Sequence, residues 1–458
     1  MNKKMILFYL SILLYTIFLT PLIGWDLKVE AFVALVIIQI LWIGRVFPLA
    51  FSSVLLILML SFNFFTFEET MGYFGSGIIW LLFSTFIIAS AFIKTGLASR
   101  ISLKMLRMSQ GSGKQLIFLS FMLMFVLSLF IPSNIGKGSL VASVLDSLVK
   151  SLKKIVNVPN LAKSLFIGVA FIASISGAFV ATGASSTIYA FGIMGEITSQ
   201  LTFVSWILYF CPPIVFFLIL LWVLFMIYFP PESVDKTLVV RLIDEQINEL
   251  GKMTVSEIKV LVIIGMTLLL WMTESLHEFS IPLIAMLGAS FTVLPFSGIW
   301  DWDEAKKSID WDMILFFAAT LMVSKMLIET GTVIWIADEL VGAFGSFSPY
   351  IVLVFLVIST ALIRIIFVNV LGFLTIIIPI AITVGQSVTT IDPLIMAMAV
   401  FLAGVPGFLL ITQSPVHLIS YSYGYFTEKD LFRVGLLSMV LWVAVVFGSV
   451  FFYWSWVV

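Results

Sequence analysis

One cysteine, Cys211, stands in the whole chain, so no intrachain disulfide and no cysteine-based metal site can form. Histidine is nearly as scarce. His277 and His417 are the only two, which argues against a His-rich metal or haem centre. The chain contains no His-Glu-x-x-His, no Gly-x-Ser-x-Gly and no phosphate-binding Gly-Lys loop, so the signatures of an intramembrane enzyme or nucleotide-driven protein are missing. Charge is the greatest shortage. Only 11% of residues are charged against 61% hydrophobic, and mean hydropathy is +1.18; soluble domains carry about 25% charged residues. A soluble globular protein is excluded; the net charge of −1 says nothing about partners, and no nucleic-acid partner is expected.

What the chain has instead is long apolar runs. Met5 to Ile23 and Val434 to Val458 carry no charged side chain, and each can cross a hydrocarbon core of about 30 Å as a helix. The first run follows Lys3 and Lys4 and precedes "TPLIGWD", a poor cleavage site, so it reads as a retained helix with its N-terminus in the cytoplasm. The partner implied is a lipid bilayer, as the inner or plasma membrane of a cell.

Basic residues mark the cytoplasmic face. Lys94, Arg100, Lys104, Arg107 and Lys114 form one group without an acid among them, and Lys150, Lys153, Lys154 and Lys163 form the next. Both groups belong on the same side. The apolar stretch between them is too short for two full spans at 1.5 Å per residue, and it is broken by "FIPSNIGKGSL" at Phe130 to Leu140. A helical hairpin that enters from the cytoplasm, turns at "PSNIG" and returns satisfies both constraints. Such backbone is tolerated at membrane depth where it is buried or lines a wet cavity.

The pattern recurs. Thr95 and Gly96 match Thr330 and Gly331, and Asn134 stands at the same separation of 235 positions from Asn369. Pro48 and Pro282 match at nearly that offset. Asn369 breaks a second apolar run, "IRIIFVNVLGFLTIIIPI", and from Met326 to Glu428 the only Lys or Arg is Arg364, so this hairpin reads as entering from outside. Each hairpin precedes an apolar segment with a polar break, "FVATGASSTIYAFG" and "LLITQSPVHLISYSYG". The fold expected is an all-α polytopic membrane protein of about eleven transmembrane helices plus two re-entrant hairpins in an inverted-topology repeat, a transporter architecture. Amphipathic surface helices are expected near Ser99 to Gly111 and Val239 to Lys252. The expected organisation is first-half scaffold helices (1–115), the first hairpin and broken helix of a transport domain (116–200) and connecting and second-half scaffold helices (201–347). The second hairpin and broken helix (348–426) and a C-terminal helix (427–458) complete it.

Ser133, Asn134, Ile135 and Val368, Asn369, Val370 sit where the divalent anion/sodium symporters carry a Ser-Asn-Thr triplet at each hairpin tip, and the sequence resembles that family of dicarboxylate, citrate and sulfate carriers. The context "IPSNIGKGSLV" is nearest to the 2-oxoglutarate/malate and citrate or tartrate exchanger branch, with Lys137 where that branch has Arg. The resemblance runs from about Phe74 onward and includes "SYGYFTEKDLFRVGLL". It implies one sodium site at Ser133, Asn134 and Gly183 and a second at Asn369 and Gln413. It also implies hairpin tips that bind substrate carboxylates, and a homodimer. Both triplet threonines are aliphatic here, Val368 replaces Ser, and Arg364 falls where a small or hydroxyl sodium ligand is expected.

Ser133 and Asn134 suit a plain helix cap as well as a ligand site. Lys137 and Arg364 are ionisable groups at membrane depth, which need partners or a function; snorkelling to the interface is the alternative. Lys325 and Glu329, one turn apart, suit an ordinary ion pair, and His417 either shuttles protons or donates a structural hydrogen bond. The candidate substrate-binding set is Ser133, Asn134, Lys137, Arg364, Val368, Asn369 and Ser414. The function expected is secondary active transport of a small di- or tricarboxylate such as succinate, malate, 2-oxoglutarate or citrate, by exchange or sodium symport. An inorganic oxyanion such as sulfate is the alternative cargo, and an intramembrane enzyme the alternative class.

Overall fold

Helices carry the chain in a computed structural model that describes residues 3–21, 24–198, 201–344, 348–388 and 390–458; no strand occurs among these residues. In the first half, α1 (Lys3–Phe18), α2 (Leu27–Ile43) and α3 (Leu49–Asn63) lead to α4 (Gly77–Lys94) and the surface helix α5 (Leu97–Arg107). The first hairpin is α6 (Gly113–Ser128) with α7 (Asn134–Lys153), and α8 (Pro159–Ala178), α9 (Ser185–Gly195) and α10 (Phe203–Tyr228) follow. The second half repeats this order. It runs α11 (Lys236–Glu249), α12 (Val255–Met272), α13 (Ile281–Val293), α14 (Trp311–Glu329) and α15 (Thr332–Phe344), then the hairpin α16 (Pro349–Ile363) with α17 (Val370–Ser387). α18 (Pro393–Gly404), α19 (Pro415–Ser422) and α20 (Glu428–Gly448) complete it. Among the described residues seven helices, α4, α8, α10, α12, α14, α17 and α20 with its continuation to Val457, have the length and hydropathy to cross a membrane. The expected end of the first apolar run at Ile23, the connection at 199–200 and the boundary at residue 347 lie outside the described residues.

The repeat is visible in the packing. α3 packs on α14 and its counterpart α13 on α4; α9 packs on α17 and its counterpart α19 on α7. Likewise α6 with α8 is mirrored by α16 with α18. Matched helices run in opposite directions: Ser76 at the start of α4 and Glu329 at the end of α14 line one pocket. At the other face, Lys94 Nζ at the end of α4 donates to Glu304 ahead of α14. The matched Thr-Gly pairs do the same job twice. Thr95 and Thr330 cap α4 and α14, and Gly96 (φ +84°) and Gly331 (φ +71°) turn the chain into the next helix in the left-handed region that favours glycine.

α5 buries Leu97, Ala98, Leu103 and Leu106 on one side, and α11 buries Val239 and Ile243. The two amphipathic helices are fastened together. Arg100, buried, donates through Nε to Glu257 (2.7 Å) and through its terminal nitrogens to the Gly251 and Leu250 carbonyls, and Arg107 pairs with Asp244 at 2.6 Å. α10 carries Pro212 and Pro213 in its interior, which removes the donors to the carbonyls of Leu208 and Tyr209. The Tyr453 hydroxyl and the Trp454 indole satisfy those carbonyls at 2.6 and 2.9 Å.

Candidate functional site

Each hairpin tip is a helix N-terminus held in place by its own side chain. Ser133 Oγ accepts from the Gly136 amide at 3.0 Å and starts α7. Asn369 Oδ1 accepts from Leu371 and Gly372 at 3.0 and 3.4 Å and starts α17. The two breaks supply two more N-termini. Between α8 and α9 the chain folds back so tightly that a Cβ on Gly183 would lie 2.6 Å from the Gly177 carbonyl, a close approach only glycine allows; Thr187 Oγ1 donates to that carbonyl at 2.8 Å. Between α18 and α19, Gln413 Oε1 accepts from the Leu409 and Leu410 amides at 2.7 and 2.8 Å, and Ser414 Oγ accepts from Val416 at 3.2 Å.

All four ends meet at one cavity of about 600 Å³, lined by Ser133 and Asn134, by Ser185 and Ser186, by Val368 and Asn369, and by Ser414. It reaches the end of the bundle where Lys4, Arg45 and Asp310 stand. First-turn amides have no intrahelical acceptors and each helix start carries roughly half a positive charge, so the convergence favours an anion. The Asn134 carbonyl oxygen is buried without a partner among the described residues.

Two candidate substrate contacts stand elsewhere. Lys137 and Arg364 are buried and do not line the cavity. Lys137 Nζ donates to Ser128 Oγ at 2.6 Å and to the Gly183 carbonyl at 3.2 Å, behind the first tip. Arg364, the C-terminal cap of α16, donates to the carbonyls of Gly404 (3.0 Å), Phe367 and Gln413 (3.3 Å), behind the second. Neither has a carboxylate partner among the described residues. Gly183 and Gln413, which the resemblance assigns to sodium, therefore give their carbonyl oxygens to a lysine and an arginine. The same arrangement appears in both halves: a basic side chain bound to backbone oxygens of a helix break.

His417 is buried near Arg364 with its ring edge-on to Phe171, 5.9 Å between centroids, and Lys325 and Glu329 form a half-exposed ion pair at 3.4 Å. Sequence reasoning missed the part of the cavity wall made by Gln39, Trp42 and Ser52. Its one signal is an amide inside the apolar run of α2.

A family model described as the sodium:sulfate symporter transmembrane region matches residues 2–458. YflS of Bacillus subtilis (strain 168) is 29% identical over 294 residues, 61% of this chain and 60% of YflS, under two thirds of that protein's length. The citrate/succinate antiporter of Escherichia coli (strain K12) is 23% identical over 384 residues, covering 81% of this chain and 77% of the antiporter. The sodium-dependent dicarboxylate transporter SdcS of Staphylococcus saprophyticus is 25% identical over 436 residues, 89% of this chain and 83% of SdcS. Among solved structures, the YdaH transporter of Alcanivorax borkumensis shares the fold with a TM-score of 0.54, covering 97% of both chains at 12% identity.

Proposed function

The chain belongs to the sodium:sulfate symporter family, and on that premise we propose that it is a secondary transporter that exchanges small di- or tricarboxylates. The observation that carries this reading is the pair of buried basic side chains, Lys137 and Arg364, set behind two hairpin tips whose amides converge on one cavity. Relatives in the family move citrate, succinate and other dicarboxylates by antiport or with sodium. Here the guanidinium charge of Arg364 is fixed, and Lys137 adds a second positive charge when it is protonated. A dianion seated at the four helix starts balances them, and the loaded body carries no net charge from site and substrate together. Without the anion, uncompensated positive charge sits in a medium of low dielectric, where movement is expensive. Loaded movement is therefore favoured over empty movement, which is exchange.

Sodium fits poorly in this arrangement. An ion at the Gly183 or Gln413 carbonyl would stand beside Lys137 or Arg364, and like charges about 4 Å apart repel by about 4 kcal/mol at an effective dielectric of 20. Ser133, Asn134, Gly183, Asn369 and Gln413 accordingly act through their amides and carbonyls on substrate and resident cations. The hairpins and broken helices form the moving body and α2–α4 with α12–α14 the frame, in a homodimer of a cell or inner membrane. The face with Lys4 and Arg45 is cytoplasmic, so the cavity opens inward.

Counterflow tests this. The full chain in proteoliposomes loaded with succinate, malate, citrate or sulfate is offered labelled substrate with and without sodium. Uptake that requires internal di- or tricarboxylate and ignores sodium is expected. Net uptake into empty vesicles that needs a sodium gradient, or counterflow with sulfate alone, would overturn it.

A further inference from the structure

The wall that α2 and α3 contribute to the cavity holds polar atoms that the protein itself leaves unused. Trp42 and Ser52 line the cavity at 8% and 1% exposure, and Gln39 lines it beside them. The Trp42 indole nitrogen, the Gln39 amide nitrogen and Ser52 Oγ are all buried, and none has a protein partner among the described residues. A helical serine commonly donates to the carbonyl four positions back, as the adjacent Ser53 does to Leu49 at 2.9 Å; Ser52 does not. An indole N–H can only donate. Buried polar groups are nearly always hydrogen-bonded, so three on one wall point to a ligand in the cavity that accepts.

Trp42 is also firmly placed. Its ring packs edge-on against Phe316, 4.6 Å between centroids. Both rings close on Gly372 in the first turn of α17, where a Cβ would meet Phe316 Cζ at 3.4 Å and Trp42 Cε3 at 3.5 Å. The indole is thereby fixed beside the second hairpin tip.

We propose that Gln39, Trp42 and Ser52 are specificity-determining residues that donate hydrogen bonds to the second carboxylate of a substrate whose first carboxylate is held at the hairpin tips. This rests on the di- or tricarboxylate reading of the cavity. α2 and α3 pack on α14 and on each other rather than on the first hairpin. A substrate carried by a moving tip meets this wall only while the cavity is open on the Lys4 and Arg45 side. The wall thus makes affinity differ between the two faces of the membrane, and it selects for a second carboxylate on one face only.

The test uses Trp42→Phe, which keeps the ring and removes the donor, and Gln39→Met as a second variant, each in the full chain in oriented proteoliposomes. KM and kcat for succinate, and for its mono-amide succinamate, are measured from each face by counterflow. Each variant should raise the succinate KM about tenfold from the Lys4 face, the loss expected for a hydrogen bond to a charged group. The opposite-face KM, kcat and the succinamate KM should change less than about twofold. Equal KM shifts on both faces, or unchanged KM on both while the parent exchanges succinate, would overturn the inference alone. A parent that exchanges no carboxylate overturns the reading of the site and this inference with it.

Discussion

The ammonium nitrogen of Lys137 lies 3.2 Å from the carbonyl oxygen of Gly183, 46 positions away in sequence. It joins the first turn of α7 to the break between α8 and α9, so a charge on one transport element is held by the bent backbone of another. Arg364 makes the corresponding link to the Gly404 and Gln413 carbonyls.

Lys137→Ala should convert the first of these places into a cation site. The change frees Ser128 Oγ and the Gly183 carbonyl, oxygens of the kind a hard cation takes. Exchange is expected to fall at least tenfold in choline medium, about 1.4 kcal/mol of lost stabilisation, and to recover in part when sodium replaces choline. The parent should be indifferent to that replacement. Counterflow in the two media decides it, and a variant equally inactive in both removes the idea that Lys137 stands in for a mobile cation.

The two tip asparagines are not equivalent, although the repeat matches them. Asn369 caps α17 itself, whereas Ser133 caps α7 and leaves the Asn134 oxygen facing inward without a partner. Asn369→Ala should cost about 1 kcal/mol of stability, and Asn134→Ala less than about 0.5 kcal/mol. Both should lose most exchange activity. Thermal unfolding of the purified variants beside counterflow separates the two effects; full transport by both would leave the tips as structural turns.

Arg364→Gln removes the donors to three backbone carbonyls at once, those of Gly404 and Gln413 buried and that of Phe367 partly so. Each unpaired group costs about 1–3 kcal/mol, so the melting temperature should fall clearly. Arg364→Lys should fall less, since an ammonium still carries the charge but cannot span all three oxygens. If the fixed charge is what ties movement to substrate, the glutamine variant should show net uptake into empty vesicles where the parent shows little. Glutamine transporting as arginine does would place the charge outside the cycle.

Lys114 and Lys150 stand near the two outer ends of the first hairpin, and α6 and α7 pack on each other. Single cysteines at these positions, in a Cys211→Ser background, should react with an impermeant maleimide from the same face of sealed vesicles. Reaction from opposite faces would require one of the two helices to cross alone.

The hairpins were legible because an amide and a glycine interrupt apolar runs whose flanks carry a charge pattern that two full spans cannot satisfy. The breaks were legible as polar words, "ATGASST" and "ITQSPVH", in otherwise apolar text. The ligands of Lys137 and Arg364 could not be read in the same way. Gly183, Gly404, Phe367 and Gln413 act through main-chain oxygens, which leave no mark on residue type, so a basic residue within a few positions of a tip looks like a substrate contact until the fold shows what it binds. Trp42 and Ser52 were hidden for a different reason. An aromatic and a serine on apolar helices are ordinary core residues, and only the approach of α2 to the first turn of α17 gives them a cavity to face.

The clasp between α5 and α11 bears on how motion passes along the chain. α5 is the connection from α4 to the first hairpin, and α11 is the connection from α10 to α12. Arg100 and Arg107 bind these two connections to one another and to the start of α12. Gly111, at φ +77°, presses against the backbone of Lys236, where a Cβ would lie 2.2 Å from its carbonyl oxygen. Two strands of chain that could have flexed separately are thus the paired leaves of a single hinge. Load applied to either is shared by both, and a side chain larger than hydrogen at position 111 would pry the leaves apart.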